Sequence, residues 1–148
     1  MTRLEIQRRA SSLLRDESNT IYTKPFINDN INEGIDRLKQ LIIEFKTLPY
    51  LLNDTDSPTL VPVSYHHLLA IYAMARCFEI DERHYEANKY MNEFEIKIDE
   101  LKGLIAEGAI VIKDGDGNTI VNDIKQDYVV NEYFKSRTSS DTEVEPTM

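Results

Sequence analysis

The chain has 148 residues, of which 41% are apolar and 29% are charged, and its formal net charge is −9. A chain of this length can bury roughly two-thirds of the surface that its unfolded form exposes, which is enough for one compact domain. The acidic balance argues against a DNA-binding protein, because attraction to phosphate needs clustered Lys and Arg. No apolar run approaches ~18 residues, so we expect neither a secretory signal nor a membrane-spanning helix.

The charges are unevenly distributed along the chain. The first fifteen residues contain four arginines: Arg3, Arg8, Arg9 and Arg15. The last eight residues contain three carboxylates and no base: Asp141, Glu143 and Glu145. This asymmetry favours docking onto another charged protein.

Two amphipathic helices are predicted in the first third of the chain. Thr2 followed by Glu5 is typical of a capping box, so the first helix starts near residue 3 and ends in the polar run from Asp16 to Thr20. Thr23 and Pro25 favour the start of a second helix. Its apolar residues recur at spacings of three and four, which places them on one face: Ile27, Ile31, Ile35, Leu38, Ile42 and Phe45.

A proline-rich loop separates these helices from a predicted helical hairpin. The loop runs from Leu48 to Pro62 and is long enough to be a candidate contact site. Ser64 is the expected cap of a third helix, which is apolar almost all round. Asp81 is the expected cap of a fourth helix, which ends before Gly108. The fourth helix carries apolar residues with coiled-coil-like spacing: Ala87, Met91, Phe94, Ile98, Leu101 and Ile105.

The last forty residues change from a helical to a two-residue period. β-Branched runs around KDGDGN predict a β-hairpin, which is marginal alone and needs a surface to pack on. The residues expected to make ribbon contacts are Ile110, Val111, Ile112, Ile120 and Val121. An aromatic segment follows, and we expect five of its residues to dock on a partner or a neighbouring copy: Tyr128, Val129, Val130, Tyr133 and Phe134.

These elements predict a mainly α protein, with a four-helix bundle-like core, a β-hairpin and an extended C-terminal arm. The helical core is assigned to residues 1–108, the hairpin to 109–124, and the arm with its acidic tail to 125–148. The acidic tail is polar, so we expect it to become ordered only when it binds a partner.

No residue pattern indicates a catalytic site, a cofactor site or a metal site. The acidic turn that starts at Asp114 resembles a calcium loop but has Thr119 and Lys125 where Gly and a bidentate carboxylate are required. His66 and His67 are adjacent on a helix and cannot chelate one ion together, so a surface or subunit contact is expected. Cys77, the single cysteine, has apolar neighbours and is expected to be a buried thiol in a protein made in a reducing cytoplasm.

The order of the elements resembles the head-to-tail adaptor proteins of tailed bacteriophages. The resemblance covers roughly residues 1 to 105 and is carried by three stretches: MTRLEIQRRASSLLRDESNTIYT, INDNINEGIDRLKQLI and VPVSYHHLLAIYAMARCFEIDERHYEANKYMNEFEIKIDELKGLI. The second stretch contains an Asn-Glu-Gly element on a helix, and the third contains the helical hairpin with its Asp-Glu turn. In that family the region beyond Gly108 is less uniform.

The resemblance implies a structural virion protein and not an enzyme. Such proteins form a homo-oligomeric ring, usually a dodecamer, that binds the portal protein in the neck of the virion. The ring extends the channel, through which DNA passes without specific binding, and offers a platform for tail, stopper or nozzle proteins. Two alternatives stay open: a small helical regulatory or anti-host binding protein, and an enzyme with an unrecognised site.

Overall fold

The protein is mainly helical, as expected from the periodicity of its apolar residues. A computed structural model describes residues 1–114 and 116–120. The α-helices are α1 (Arg3–Leu13), α2 (Lys24–Leu41), α3 (His67–Ile80) and α4 (His84–Ala106), and two 3-10 turns occupy Ile43–Phe45 and Val63–Tyr65.

The helices alternate in direction. Helix α3 packs against each of the other three helices. Its pairing with α4 is antiparallel, because Tyr72 contacts Phe94 and the later Phe78 contacts the earlier Tyr90, with ring centroids 5.1 and 5.8 Å apart. We call the end that contains residues 13–23 and 78–85 the turn end, and the end that contains residues 42–66 the loop end.

The core lies where the predicted apolar faces meet. All six residues of the predicted α2 face are buried, as is the whole run from Leu68 to Ala75 in α3. In α4 the seam residues Phe94, Ile98 and Leu101 are buried, and Met91 is partly buried. Three- and four-residue spacing therefore identified the faces that pack together.

Two predicted helix caps are confirmed and two are wrong. Thr2 and Glu5 form the capping box of α1, and Thr23 caps α2. Helix α3 begins after a 3-10 turn, so Ser64 is not its cap. Asp81 ends α3 instead of opening α4, because its N–H bonds the Cys77 carbonyl and the following residue takes a left-handed φ of 58°. The carboxylate of Asp81 is used in a tertiary hydrogen bond.

The chain after α4 turns back on the bundle. Gly108 has a φ of 80°, as expected of a residue just past a helix. Within residues 107–114 and 116–120 there is one antiparallel bridge, between Lys113 and Thr119, and no strand. Asp114 Oδ1 accepts from the N–H groups of Asp116 and Asn118, both at 2.9 Å, as a turn-forming side chain does. Val121 and the predicted arm, residues 125–148, lie outside the described residues.

Candidate interaction surfaces

The Asn-Glu-Gly element of α2 is part of the fold. Asn32 donates to the Leu51 carbonyl at 3.0 Å and accepts from the Leu51 N–H at 2.8 Å, which ties the proline-rich loop to the helix. Glu33 accepts from the Tyr72 hydroxyl at 3.0 Å. A Cβ at Gly34 would lie 3.1 Å from the Leu69 side chain, so α2 and α3 approach closely there. Each of the three residues therefore joins α2 to another part of the same chain.

A polar seam continues along α2 and α3. The Arg76 Nε atom lies 2.6 Å from Glu33 Oε1, so the carboxylate has both a cation and a hydroxyl as partners. Burial, reinforced by the hydrogen bond to Glu33, raises the pKa of Tyr72 to about 12. The contact of Arg76 Nε with Glu33 is an ion pair without hydrogen-bond geometry, whereas the Tyr72 hydroxyl and the Glu33 carboxylate are hydrogen-bonded to each other.

The proline-rich loop closes the first turn of α1. The N–H groups of Arg3 and Leu4 donate to the carbonyls of Asp56 and Asp54 at 2.7 and 3.1 Å. The Arg3 guanidinium also pairs with the Asp54 carboxylate at 2.8 Å. Since the loop occupies the free N–H groups that every helix start presents, most of it is structural. The large apolar side chains of the loop that stay exposed are Tyr50 and Leu52, and Leu52 is the more exposed of the two.

His66 is buried, which corrects the expected surface position. Its Nε2 lies 2.7 Å from the Val61 carbonyl and its Nδ1 lies 2.8 Å from the Met1 amino nitrogen. Burial lowers its pKa, because the charged form is poorly solvated there. His67 is partly exposed and His84 is exposed. In the part of the chain that the structure describes, no three His, Cys, Asp or Glu side chains are grouped to hold a metal.

A buried carboxylate organises the turn end. Asp16 accepts from the N–H groups of Thr20, Ile21 and Tyr22 at 2.8–3.1 Å, and these bonds, that of Tyr22 first, lower its pKa. The Tyr22 hydroxyl donates to Asp81, which ties the start of α2 to the end of α3.

Cys77 lies in α3, one turn before Asp81. It is buried as predicted, and burial raises the pKa of its thiol to about 12. The thiolate, which is the nucleophilic form, is therefore disfavoured there.

Large apolar side chains stand exposed around this network. Ile21, Ile80 and Tyr85 are 70%, 55% and 78% exposed. All three lie within four residues of the Tyr22–Asp81 hydrogen bond, so they share one end of the bundle. We call these three residues the turn-end surface. Exposed apolar side chains that lie close together are typical of protein contact surfaces, so this end of the bundle is a candidate contact surface.

A second group of exposed apolar residues lies at the loop end. Leu52 and Val63 are 71% and 74% exposed, and Val111 is also exposed. Leu52 lies at the start of α1, because its carbonyl accepts from Arg3 at 2.8 Å. Val63 opens the 3-10 turn that leads into α3, and Val111 follows the end of α4. We call these three residues the loop-end surface.

The predicted ribbon residues fall into three groups. Ile112 is buried in the core of its own chain, and Ile110 and Ile120 pack against that core. Val111 is exposed, so it is the described ribbon residue whose side chain can reach another molecule. The fifth ribbon residue, Val121, lies outside the described residues, as do the five residues of the predicted docking arm: Tyr128, Val129, Val130, Tyr133 and Phe134.

The turn-end surface could not be located from the sequence. Ile80 and Tyr85 sit on helices whose apolar residues are mostly buried, so their exposure follows from where α3 ends and α4 begins. The one available signal was the polar run before Tyr22, which marks a structured turn.

Comparison with known proteins gives no match: no family model, no curated protein and no solved structure is similar to the chain. Among the described helices, none combines the length and the apolar character needed to cross a membrane.

Proposed function

We propose that the protein is a head-to-tail adaptor of a tailed bacteriophage, a ring-forming structural component that binds the portal protein and carries the next tail-side protein. The observation that supports this most is the presence of exposed apolar residues at both ends of one helical bundle, the turn-end and loop-end surfaces. A subunit that links two different partners along an axis needs two such surfaces, and exposed apolar patches mark protein contacts.

Both surfaces rest on fixed backbone. The turn-end surface surrounds the Asp16 and Tyr22 hydrogen bonds, and Leu52 of the loop-end surface belongs to the loop that Asn32 and Arg3 hold. Fixed residues lose little conformational freedom on binding, so more of the interaction energy is retained as affinity.

The loop-end surface is assigned to the portal. Helix α4 ends near this surface, and the chain beyond it stays close, because the Ile110 N–H bonds the Leu104 carbonyl and the Ile120 N–H bonds the Ile112 carbonyl. The segment that follows therefore starts from the loop end. In the proposal the hairpin, residues 109–124, and the aromatic arm extend from there, and Tyr128 to Phe134 dock on the portal or on an adjacent copy.

The charge of the chain suits a DNA channel. A net charge of −9 repels DNA phosphates, so DNA can pass through a ring of such subunits without being held. In this proposal the protein is made in the host cytoplasm and resides in the neck of the virion, as one copy of a cyclic oligomer, a dodecamer by family resemblance. Tail, stopper or nozzle proteins would bind the turn-end surface.

Paired substitutions at the two ends test the proposal. Leu52→Asp with Val63→Asp should weaken binding to the portal protein of the same phage by about tenfold or more, because a charge replaces buried apolar contacts. Ile80→Asp with Tyr85→Asp should leave portal binding intact and abolish binding of the tail-side protein. Ile96→Asp is the matched control, since Ile96 is 66% exposed on the middle of α4. Equal portal affinity in all variants would contradict the assignment.

Deleting the residues from Asp127 onward tests the arm separately. Loss of portal affinity or of ring formation is the expected result, and unchanged affinity with an unchanged ring would refute the role of the arm. Purified full-length protein and portal, mixed and imaged by electron microscopy, provide the readout for both experiments.

A further inference from the structure

Three exposed arginines lie on the outer face of α1 and in the turn that follows it. Arg8 and Arg9 point away from the bundle, because Ile6, Gln7 and Ala10 occupy the buried face of the helix. Arg15 lies two residues past the end of α1, has a left-handed φ of 57° and is also exposed. We call Arg8, Arg9 and Arg15 the basic face.

The basic face has no ion-pair partner within residues 1–114 and 116–120. The other described arginines differ in this respect. Each of them lies within 4 Å of a carboxylate, and these are Arg3, Arg37, Arg76 and Arg83. The acidic residues nearest in sequence already accept hydrogen bonds from backbone N–H groups. Glu5 accepts from the Thr2 N–H, and Asp16 accepts from the Tyr22 N–H. Glu17 is exposed and forms no ion pair among the described residues.

A basic face is unusual on a chain of net charge −9, and the chain supplies one segment with complementary charge. After Arg137 the sequence contains three carboxylates and no base: Asp141, Glu143 and Glu145. We call residues 141–145 the acidic segment. Arginine binds carboxylates with paired hydrogen bonds, so three arginines and three carboxylates form a plausible match in number and chemistry.

We propose that the basic face of one subunit binds the acidic segment of a neighbouring copy. The basic face and the acidic segment are different parts of the chain, so each copy gives its segment to one neighbour and receives another. Contacts of this head-to-tail kind form a ring when the rotation from one copy to the next closes on itself, and an open filament when it does not. The inference rests on the proposed function, because it identifies the contact that joins the subunits of the ring.

The length of the chain permits this contact. Residue 141 lies 21 residues beyond Ile120, a span of up to about 70 Å when extended. Helix α4, with 23 residues, is about 34 Å long, so the acidic segment can pass the whole bundle and reach the next subunit.

Charge reversal tests the contact. The first variant carries Arg8→Glu, Arg9→Glu and Arg15→Glu, and the second carries Asp141→Lys, Glu143→Lys and Glu145→Lys. A control carries Lys46→Glu, Lys102→Glu and Lys113→Glu, three exposed lysines away from α1. The control and the first variant both change the net charge by −6, from −9 to −15, so they share any general repulsion.

The readout is molar mass by size exclusion with light scattering, over a range of NaCl concentrations. Each of the first two variants alone should associate at least tenfold more weakly than the unmodified chain or the control. A mixture of the two should recover association, because the reversed face of one then faces the reversed segment of the other. Association of the unmodified chain should weaken with salt, as exposed ion pairs do.

Several results would overturn the inference. Unchanged association in the first variant is one, and an unmodified chain that stays monomeric at every concentration is another. Recovery when all six substitutions are placed in one chain, but not in the mixture, would mean that the segment binds its own α1. Salt-sensitive retention of DNA that is lost in the first variant, with association unchanged, would assign the basic face to nucleic acid. Portal binding is measured in parallel: normal assembly without portal binding contradicts the proposed function alone, and portal binding with unaffected assembly contradicts this inference alone.

Discussion

The interface between α2 and α3 and the outer face of α1 use polar residues in opposite ways. At the interface, Asn32 and Glu33 find partners in the loop and in α3. On α1, the basic face has no ion-pair partner within the described residues. Polar groups paired within the chain hold the fold together, whereas the exposed arginines of the basic face are available to bind another polypeptide, as proposed above. Substitutions in the two regions should therefore differ in their effect on stability.

The largest effect is expected from Gly34→Leu. A Cβ added at residue 34 would lie only 3.1 Å from the Leu69 side chain and 3.2 Å from the Tyr72 ring. A larger side chain at this position therefore forces α2 and α3 apart. We expect a loss of about 3 kcal/mol in the free energy of unfolding, the upper part of the range for overpacking. Urea denaturation measures it. Gly103→Ala is the matched control, because nothing lies within 4 Å of a Cβ there and the change should stabilise α4 by about 0.5–1 kcal/mol.

The next effect is expected from Asn32→Ala. Leu51 is buried, and the Asn32 amide satisfies both its N–H and its carbonyl. Removing that amide leaves the Leu51 N–H without a partner and leaves the Leu51 carbonyl with only the longer bond from Arg3, at 3.3 Å. The expected cost is about 2 kcal/mol. Asn53→Ala, at an exposed position of the same loop, should change stability by less than about 0.5 kcal/mol. Equal effects at the two positions would show that Asn32 does not hold the loop.

Tyr72→Phe should cost about 1 kcal/mol at neutral pH, the net value of one hydrogen bond. The folded pKa of Tyr72 is raised to about 12, above an unfolded value of about 10. The contribution is therefore complete below pH 10 and is lost as the pH rises through the folded value. Absorbance titration of the folded protein should show one late-ionising tyrosine fewer in the variant. Tyr85→Phe, at an exposed position, should leave the stability unchanged.

The smallest effect on stability is expected from reversing the basic face. Arg8→Glu, Arg9→Glu and Arg15→Glu together should change the free energy of unfolding of the monomer by less than about 0.5 kcal/mol in total, because the side chains are exposed and form no ion pair in the described structure. A much larger loss in dilute solution would show that these arginines support the fold, and the contrast with the α2–α3 interface would disappear.

Much of the helical fold could be predicted from the sequence, because it depends on local patterns. The α2 face, the capping box of Thr2 and the Thr23 cap follow from spacing and from residues close together in the chain. The errors arose where a distant residue decides. Asp81 was expected to cap α4, but Tyr22, 59 residues away, donates to it. His66 was expected at the surface, but the amino nitrogen of Met1, 65 residues away, lies 2.8 Å from its Nδ1.

The candidate surfaces were harder to predict from the sequence than the helices. Exposure of Ile21, Ile80 and Tyr85 depends on how three chain segments meet at the turn end, and no local period reports that. Ile112 was expected to face a neighbour, but the turn after Gly108 brings it into the core of its own chain. The basic residues of α1 were visible as a charge bias, yet only the packing of Ile6 and Ala10 shows which face of the helix they occupy.

The mass of the assembly formed with the portal protein tests the account most directly. Purified chain is mixed with portal rings of the same phage, and native mass measurement gives the number of copies bound. The account predicts a closed set of copies on each portal ring, lost in Leu52→Asp with Val63→Asp and retained in Ile96→Asp. A chain that remains a single copy at high concentration and leaves the mass of the portal unchanged would contradict it.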